Sequence, residues 1–300
     1  MVYTVTFNPA VDYVMNIEKL NSGEVNRCAN EEFQIGGKGI NVSLMLKTLG
    51  INNIALGFVS GFTGAYLQSQ LNSFGVDTDF INLNNGTTRI NVKLKSDDIT
   101  EINANGPTVS NESIKSLFDK LNYLQDGDIL VLAGSIPNSV DNNIYEKIMQ
   151  HLSNKQIKIV IDATKDLLWN TLKYKPFLIK PNNFELEEIF GVKISTNEKI
   201  IEYATKLQEK GAKNVLVSMG ENGAILLDEN GITHEIKAVK GKIKNTVGSG
   251  DSMVAGFLSG YVEKNDYEYA LKLGSASGSA TAFSNTLATK SKIDEILSMI

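Results

Sequence analysis

Asn245, Thr246, Val247, Gly248, Ser249, Gly250, Asp251 and Ser252 stand directly before the apolar run Met253-Val254-Ala255-Gly256-Phe257. The pattern predicts a glycine-rich turn that opens into a helix, with one carboxylate in the first helical turn. Backbone N–H groups at that position have no intrahelical partner and can hold a phosphate. A carboxylate beside them can take the proton of an attacking hydroxyl. Together these two properties suit phosphoryl transfer, although glycine and serine before a helix also serve ordinary capping. A second turn, Gly36-Gly37-Lys38-Gly39-Ile40-Asn41, also leads into a predicted helix. It has neither the spacing of a Walker A loop nor that of the dinucleotide fingerprint. Its glycines let a polar ligand lie against the backbone, and Asn41 offers both donors and acceptors. A flexible loop would share that composition.

Other polar groups fall at the ends of predicted strands. Asp12 interrupts the apolar Val11-Asp12-Tyr13-Val14 and could accept hydrogen bonds from sugar hydroxyls; Gly134-Ser135 follows an apolar strand. Arg89 and Arg27 are candidate phosphate ligands, Arg89 from the polar face of its strand. In Lys180-Pro181-Asn182-Asn183-Phe184-Glu185, Asn182 and Glu185 have the spacing of a capping box. The alternative places both near Mg²⁺, directly or through water. Ser218-Met219-Gly220-Glu221-Asn222-Gly223 reads as a hairpin turn or as a loop against a nucleotide. His151 and His234 are the only histidines, so zinc sites and Ser-His-Asp hydrolysis are poorly supplied, and both are read as structural.

The elements that must carry these residues alternate. Buried strands are predicted over 2–7, 54–59, 128–133, 157–161, 177–179 and 214–218, and helices over 39–49, 64–74, 111–121, 142–152 and 199–209. This order predicts an α/β fold with a parallel sheet covered on both faces. Ligands gather at the carboxyl ends of the strands in such sheets. Segments 10–35 and 87–103 break the alternation with period-two patterns: Ile90, Val92 and Leu94 share one face, and Arg89, Asn91, Lys93 and Lys95 the other. They predict a small separate sheet acting as a lid on a single domain over 1–300. Two Gly-, Ala- and Ser-rich helices, 248–263 and 267–284, are expected to close the chain.

The chain has 300 residues, 42% hydrophobic content and a formal net charge of -5. That charge argues against nucleic acid or an anionic membrane as partner, and requires local cations and N–H groups to hold any anionic substrate. No apolar stretch reaches the ~20 residues of a membrane span. The opening Met1-Val2-Tyr3-Thr4-Val5 lacks a secretory pattern, and Cys28 is the only cysteine. A cytoplasmic location is therefore expected.

Six segments in register give the chain a resemblance to the PfkB family of ribokinase-like carbohydrate kinases. They are Asn8-Pro9-Ala10-Val11-Asp12, Gly36-Gly37-Lys38-Gly39-Ile40-Asn41-Val42, Thr88-Arg89-Ile90-Asn91-Val92-Lys93, Gly134-Ser135-Ile136-Pro137, Lys180-Pro181-Asn182 through Glu185, and Thr246-Val247-Gly248-Ser249-Gly250-Asp251. The first, fourth and last look like the phosphosugar branch. The resemblance implies a three-layer α/β/α domain with a mainly parallel sheet and a small β-sheet lid that often pairs two subunits, so a homodimer through the lid is expected. It implies ATP as co-substrate, Mg²⁺, and transfer to the C6 hydroxyl of fructose 1-phosphate, with tagatose 6-phosphate and then fructose 6-phosphate as alternative substrates.

By the same resemblance Asp251 matches the catalytic base, and the N–H groups of Gly248, Ser249, Gly250 and Asp251 match an anion hole. Asp12, Gly36, Gly37 and Asn41 match sugar-binding positions. Lys38, Arg89, Ser135 and Arg27 are candidates for the substrate's phosphate. Lys180, Asn182, Ser218, Gly220 and Gly223, with Gly248 and Gly250, fall where the nucleotide lies, and Glu185 with Asn182 matches the magnesium element. Many members have Asp where Asn245 stands and Ala where Ser249 stands; Ser249 keeps its backbone N–H. Two other readings are a catalytically inactive sugar-phosphate-binding regulator, opposed by the intact Asp251, and a nicotinamide-dependent dehydrogenase, opposed by Asn8-Pro9 after the first strand.

Overall fold

The computed structural model describes all of residues 1–300. The central sheet runs in the order Thr233–Ile236, Ala224–Leu227, Asn214–Ser218, Leu178–Ile179, Lys158–Asp162, Ile129–Ala133, Val2–Thr6, Asn53–Ser60 and Asp77–Thr78, and Ile81–Leu83 also pairs with Asn53–Ser60. Its pairings are parallel except for the two antiparallel ones that join the Asn214–Ser218, Ala224–Leu227 and Thr233–Ile236 strands. Alternate side chains of each strand serve opposite faces. Leu130, Leu132, Ile159 and Ile161 enter one apolar core with Leu117, Ile148 and Leu207 of the helices on that side. Ile129, Val131 and Val160 enter the other, with Met45, Val254 and Ala276. Two buried cores on one sheet make three layers.

The second sheet contains Asn30–Gly36, Ala10–Asn16, Arg89–Lys95 and Ile99–Ile102 in that order. Its register puts Asp12 beside Asn91 and Ala10 beside Arg89, while Val11 lies beside Ile90. Val11 joins Ile40, Val59 and Leu67 in a third apolar cluster, against which Ile35 and Ile90 pack. That cluster ties the small sheet to the body and leaves the Asp12 face toward the strand ends.

Glycine governs the tightest approaches. Gly57 has φ 142°, and a Cβ there would overlap the carbonyl oxygen of Thr6 on the paired strand. Helices Ser249–Lys264 and Tyr267–Ala282 meet backbone to backbone: a Cβ on Gly256 would lie 2.6 Å from the Leu273 carbonyl oxygen, and one on Gly278 3.1 Å from that of Ser249. The small residues of these helices thus fix the height at which the Gly248 turn sits. A third helix, Lys290–Leu297, follows them and buries Ile293 and Ile296. Sequence periodicity ended the chain one helix short of this, because the segment is only eight residues long. No helix is long and apolar enough to cross a membrane.

Replacing Gly57 by Ala should destabilise the protein by roughly 2–4 kcal/mol, because it combines a positive φ with overpacking against a paired strand. Urea unfolding of the variant checks this. A loss under about 0.5 kcal/mol would mean that the strands separate easily at this point.

Candidate active site

The two glycine turns meet. Gly248 is the N-cap of the Ser249–Lys264 helix, with φ 79° and no side-chain cap. Elsewhere Ser110, Asn182, Thr196, Asp266 and Thr289 cap their helices with side-chain hydrogen bonds. The Ser249 amide donates to the Thr246 carbonyl at 3.2 Å, and no protein group accepts from the amides of Gly250 and Asp251. Two donors at the positive end of a sixteen-residue helix therefore point at one place, which is an anion-binding geometry. The capping alternative for Gly-Ser-Gly-Asp does not fit: Ser249 Oγ donates back to the Thr246 carbonyl at 2.8 Å, and the helix start stays open.

Asp251, in that first turn, is buried and accepts a hydrogen bond from Asn41 Nδ2 on Oδ2 at 2.7 Å. Asn41 lies one turn into the Lys38–Thr48 helix, whose N-cap is Gly37 at φ 116°. A single side-chain bond thus connects turns 210 residues apart. Lys38, the first residue of that helix, reaches Asp162 Oδ1 at 3.1 Å, and Lys180 approaches the same atom at 3.5 Å. Lys180 runs beneath the anion-binding turn: a Cβ on Gly250 would lie 3.2 Å from its Nζ. The absence of a Cβ leaves the ammonium room this close to the turn.

Charge in this cluster is balanced from several sides. Burial, and then the charge of Asp162, push the Asp251 carboxyl up to about 6; the Asn41 bond, Lys38 and Lys180 oppose the rise. Burial also works against ionisation of Asp162, but Lys180 and Lys38 outweigh it and hold that carboxyl below its ordinary range. For Lys38 burial disfavours the charge, and Asp162, Asp251 and Glu185 together more than restore it. At neutral pH the site therefore holds two carboxylates and two ammonium groups, with Asp251 the one nearest its titration point.

Asp12 stands on the small sheet, adjoining the second turn: a Cβ on Gly36 would lie 3.2 Å from its Oδ2. Asn91 donates to Asp12 Oδ1 at 2.8 Å, and Lys93 pairs with Oδ2 at 2.8 Å. Arg89, on the same strand, donates through Nε to the Asn8 carbonyl at 3.1 Å, which fixes its guanidinium beside the first strand's end. Burial lowers the Arg89 pKa, yet a guanidinium stays charged. Ser135 is exposed, and Gly134 before it donates to the Asp162 carbonyl at 3.0 Å and packs against the Lys38 side chain. Arg27 is exposed on the loop between two strands of the small sheet, and the structure does not bring it to the others.

Asn182 and Glu185 form a capping box, with Asn182 N to Glu185 Oε2 and Glu185 N to Asn182 Oδ1 both at 2.8 Å. Ser218 bridges to Asn182, and Gly220 and Gly223 shape the turn that follows, which joins two antiparallel strands. No three His, Cys, Asp or Glu side chains converge as a preformed metal site. His151 pairs with Asn122 and His234 with Asp228, so neither contributes to this constellation. Asn245 accepts from the Val247 amide and donates to the Asn285 carbonyl, which shapes the approach to Gly248.

Sequence reasoning missed Asp162, Asn91 and Lys93 as site residues. Asn91 and Lys93 alternate with Arg89 on one strand, so period two was the signal that would have selected them. Asp162 ends an apolar strand beside the Gly134 turn, a position that only the strand order reveals.

The family model described as pfkB family carbohydrate kinase matches residues 5–293. The chain belongs to the PfkB family of carbohydrate kinases. It is a phosphotransferase with an alcohol group as acceptor, on a ribokinase-like fold. A 1-phosphofructokinase of Bacillus subtilis is 45% identical over 99% of this chain and 97% of its own length. A D-tagatose-1-phosphate kinase of Bacillus licheniformis is 37% identical over 100% of this chain and 98% of its own. Among solved structures, phosphofructokinase-2 from Escherichia coli in complex with substrates and products superposes with TM-score 0.92 at 26% identity, over 99% of this chain and 98% of that one. Both glycine turns, Lys180 and Asp251 lie within the matched residues of this PfkB kinase.

Asp162 is expected to hold the cluster together. Asp162→Asn removes the only carboxylate that Lys180 approaches within 4 Å, which costs roughly 3–5 kcal/mol by analogy with broken buried pairs. Because the native carboxyl titrates below its ordinary value, that stabilisation is complete at neutral pH and fades as pH falls through the depressed pKa. Urea unfolding at pH 7.5 and at a pH well below the ordinary carboxylate range, about 2.5, measures both. A variant as stable as the native protein at pH 7.5 would contradict the assignment.

Proposed function

We propose that this PfkB kinase is an ATP- and Mg²⁺-dependent 1-phosphofructokinase, transferring the γ-phosphoryl group of ATP to the C6 hydroxyl of fructose 1-phosphate. The carrying observation is Asp251, a buried carboxyl beside two amides that donate to nothing else in the protein. The C6 oxygen attacks phosphorus, the bond from phosphorus to the β,γ-bridging oxygen breaks, and ADP leaves. Asp251 receives the hydroxyl proton while the Gly250 and Asp251 amides, with Lys180, stabilise charge on the transferring group. Asn41 keeps the base aimed, and Asp12, itself fixed by Asn91 and Lys93, accepts from sugar hydroxyls.

Mg²⁺ suits the residues present. The capping box uses one Glu185 oxygen and leaves Oε1, and Asp162 Oδ2 is buried with no hydrogen-bond partner. Glu185 and Asn182 would hold the ion, in part through water, and its charge would offset that of the β- and γ-phosphates. Arg89, Lys38 and Ser135 are assigned to the C1 phosphate; Arg27, exposed on its loop, is not among them. Lys180, Asn182, Ser218, Gly220 and Gly223 border the nucleotide. The small sheet serves as lid, and the part of its Val11 face left uncovered by the body, with Phe33 54% and Ile102 58% exposed, is the surface for a second copy.

The identity of the sugar is narrowed by the relatives' names. The 1-phosphofructokinase and the D-tagatose-1-phosphate kinase are both named for 1-phosphates. D-Tagatose 1-phosphate therefore displaces tagatose 6-phosphate as second substrate, and the two candidates differ only in configuration at C4.

ADP release measured with fructose 1-phosphate, D-tagatose 1-phosphate and fructose 6-phosphate should rank fructose 1-phosphate first in kcat/KM. A higher value for either competitor would displace the substrate assignment. In Asp251→Asn, kcat should fall at least ~10³-fold, as loss of a positioned base allows. Binding of fructose 1-phosphate, followed by calorimetry, should persist; undiminished turnover would remove Asp251 from the mechanism.

A further inference from the structure

Between Ile236 and Gly250 the chain carries Lys237, Lys240, Lys242 and Lys244 and no acidic residue. All four lysines are exposed, and none enters an ion pair, although lysines nearby do: Lys213 pairs with Glu229 and Lys272 with Glu268. A run of charge is ordinarily a solvated face, so its course over the molecule decides its meaning. Gly223 abuts the start of this segment: a Cβ there would collide with the Ile236 carbonyl oxygen and lie 2.9 Å from the Ala238 amide nitrogen. Lys237 also lines a cleft of about 440 Å³ with Met219 and Asn222 of the same turn; Glu235, the one acidic residue of that cleft, accepts from Asn197. Further along, Gly241 lies against the Phe283 ring, and the amides of Lys244 and Asn245 donate to the Ala282 carbonyl at 2.8 and 3.2 Å. The segment then runs directly into Gly248. It is a tethered strip that links the Ser218-to-Gly223 turn to the anion-binding turn.

We propose that Lys237, Lys240, Lys242 and Lys244 form a cationic rail that draws the triphosphate of the incoming nucleotide along this strip toward the Gly248 turn. The inference rests on the kinase reading above and assigns residues to nucleotide capture. The whole chain carries -5, so its distant field repels an anionic nucleotide. At physiological salt the Debye length is about 8 Å, so unpaired charges bordering the path outweigh the distributed net charge. Such steering raises capture of a charged ligand by roughly 10–10³-fold. The rail touches no reacting atom, so it should act on kcat/KM for ATP and leave kcat almost unchanged.

The test compares the native enzyme with K237Q/K240Q/K242Q/K244Q and with the corresponding Lys→Arg variant, from 20 to 300 mM KCl. The glutamine variant should lose about tenfold in kcat/KM for MgATP at low salt, with kcat within about twofold. Its salt dependence should flatten, the arginine variant should behave as native, and kcat/KM for the phosphosugar at saturating ATP should hold. Native nucleotide kinetics in the glutamine variant, or an equal loss toward both substrates, would overturn the rail. Should the quadruple variant fail to fold by circular dichroism, K240Q/K242Q gives the same reading, with a smaller loss and a partial flattening expected. Failure of the underlying kinase reading is distinct, since the native enzyme itself would then release no ADP.

Discussion

The site depends on placing like charges together where water cannot separate them. Asp251 and Asp162 are both buried, each raises the cost of ionising the other, and Lys38 and Lys180 are the only ammonium groups that relieve it. Removing any one charge would leave the others uncompensated in a low-dielectric setting. The arrangement makes Asp251 a base that is ionised at neutral pH yet close enough to its titration point to accept a proton. A carboxylate of ordinary, fully solvated pKa would be a weaker base.

Glycine packing serves this constraint. Lys180 runs close beneath the anion-binding turn, where Gly250 leaves it room, and the turn sits at its height because Gly256, Gly274 and Gly278 let two helices touch through their backbones. Asn41 then fixes the distance between the turns, since its amide must reach Asp251. The same logic carries to the small sheet, where Asn91 and Lys93 use both oxygens of Asp12 and leave its remaining lone pairs facing the strand ends. Stability and chemistry are thus in tension at Asp251, whose burial disfavours the charged form that the proposed base must use.

Much of this was legible in the sequence because it is local. Strand and helix alternation follows from apolar periodicity, and the helix over Asn111–Leu121 and the strand over Asn214–Ser218 were read at their observed bounds. The glycine turns announced themselves by composition. Convergence was not legible in this way. Asp162 ends a strand that reads as a plain buried run, and its partners lie 124 residues before it and just past a strand that pairs beside it. Asn182 and Glu185 show the converse, a local capping box whose spare oxygen acquires meaning only beside the cluster. The short Asp77–Thr78 and Ile81–Leu83 strands carry too few residues to display a period, and tertiary pairing alone forms them.

The most direct measurement is the pH dependence of kcat/KM for fructose 1-phosphate in the native enzyme and in Asp162→Asn. A sugar phosphate itself titrates near pH 6, so an acid limb in the native profile alone does not single out the base. The substrate's limb is common to both enzymes, whereas loss of the Asp162 charge must lower the pKa of Asp251 from about 6. The account predicts that the enzyme's limb moves to lower pH in the variant while the substrate's stays. Superimposable limbs, or a limb that moves upward, would contradict a base tuned by its buried neighbour.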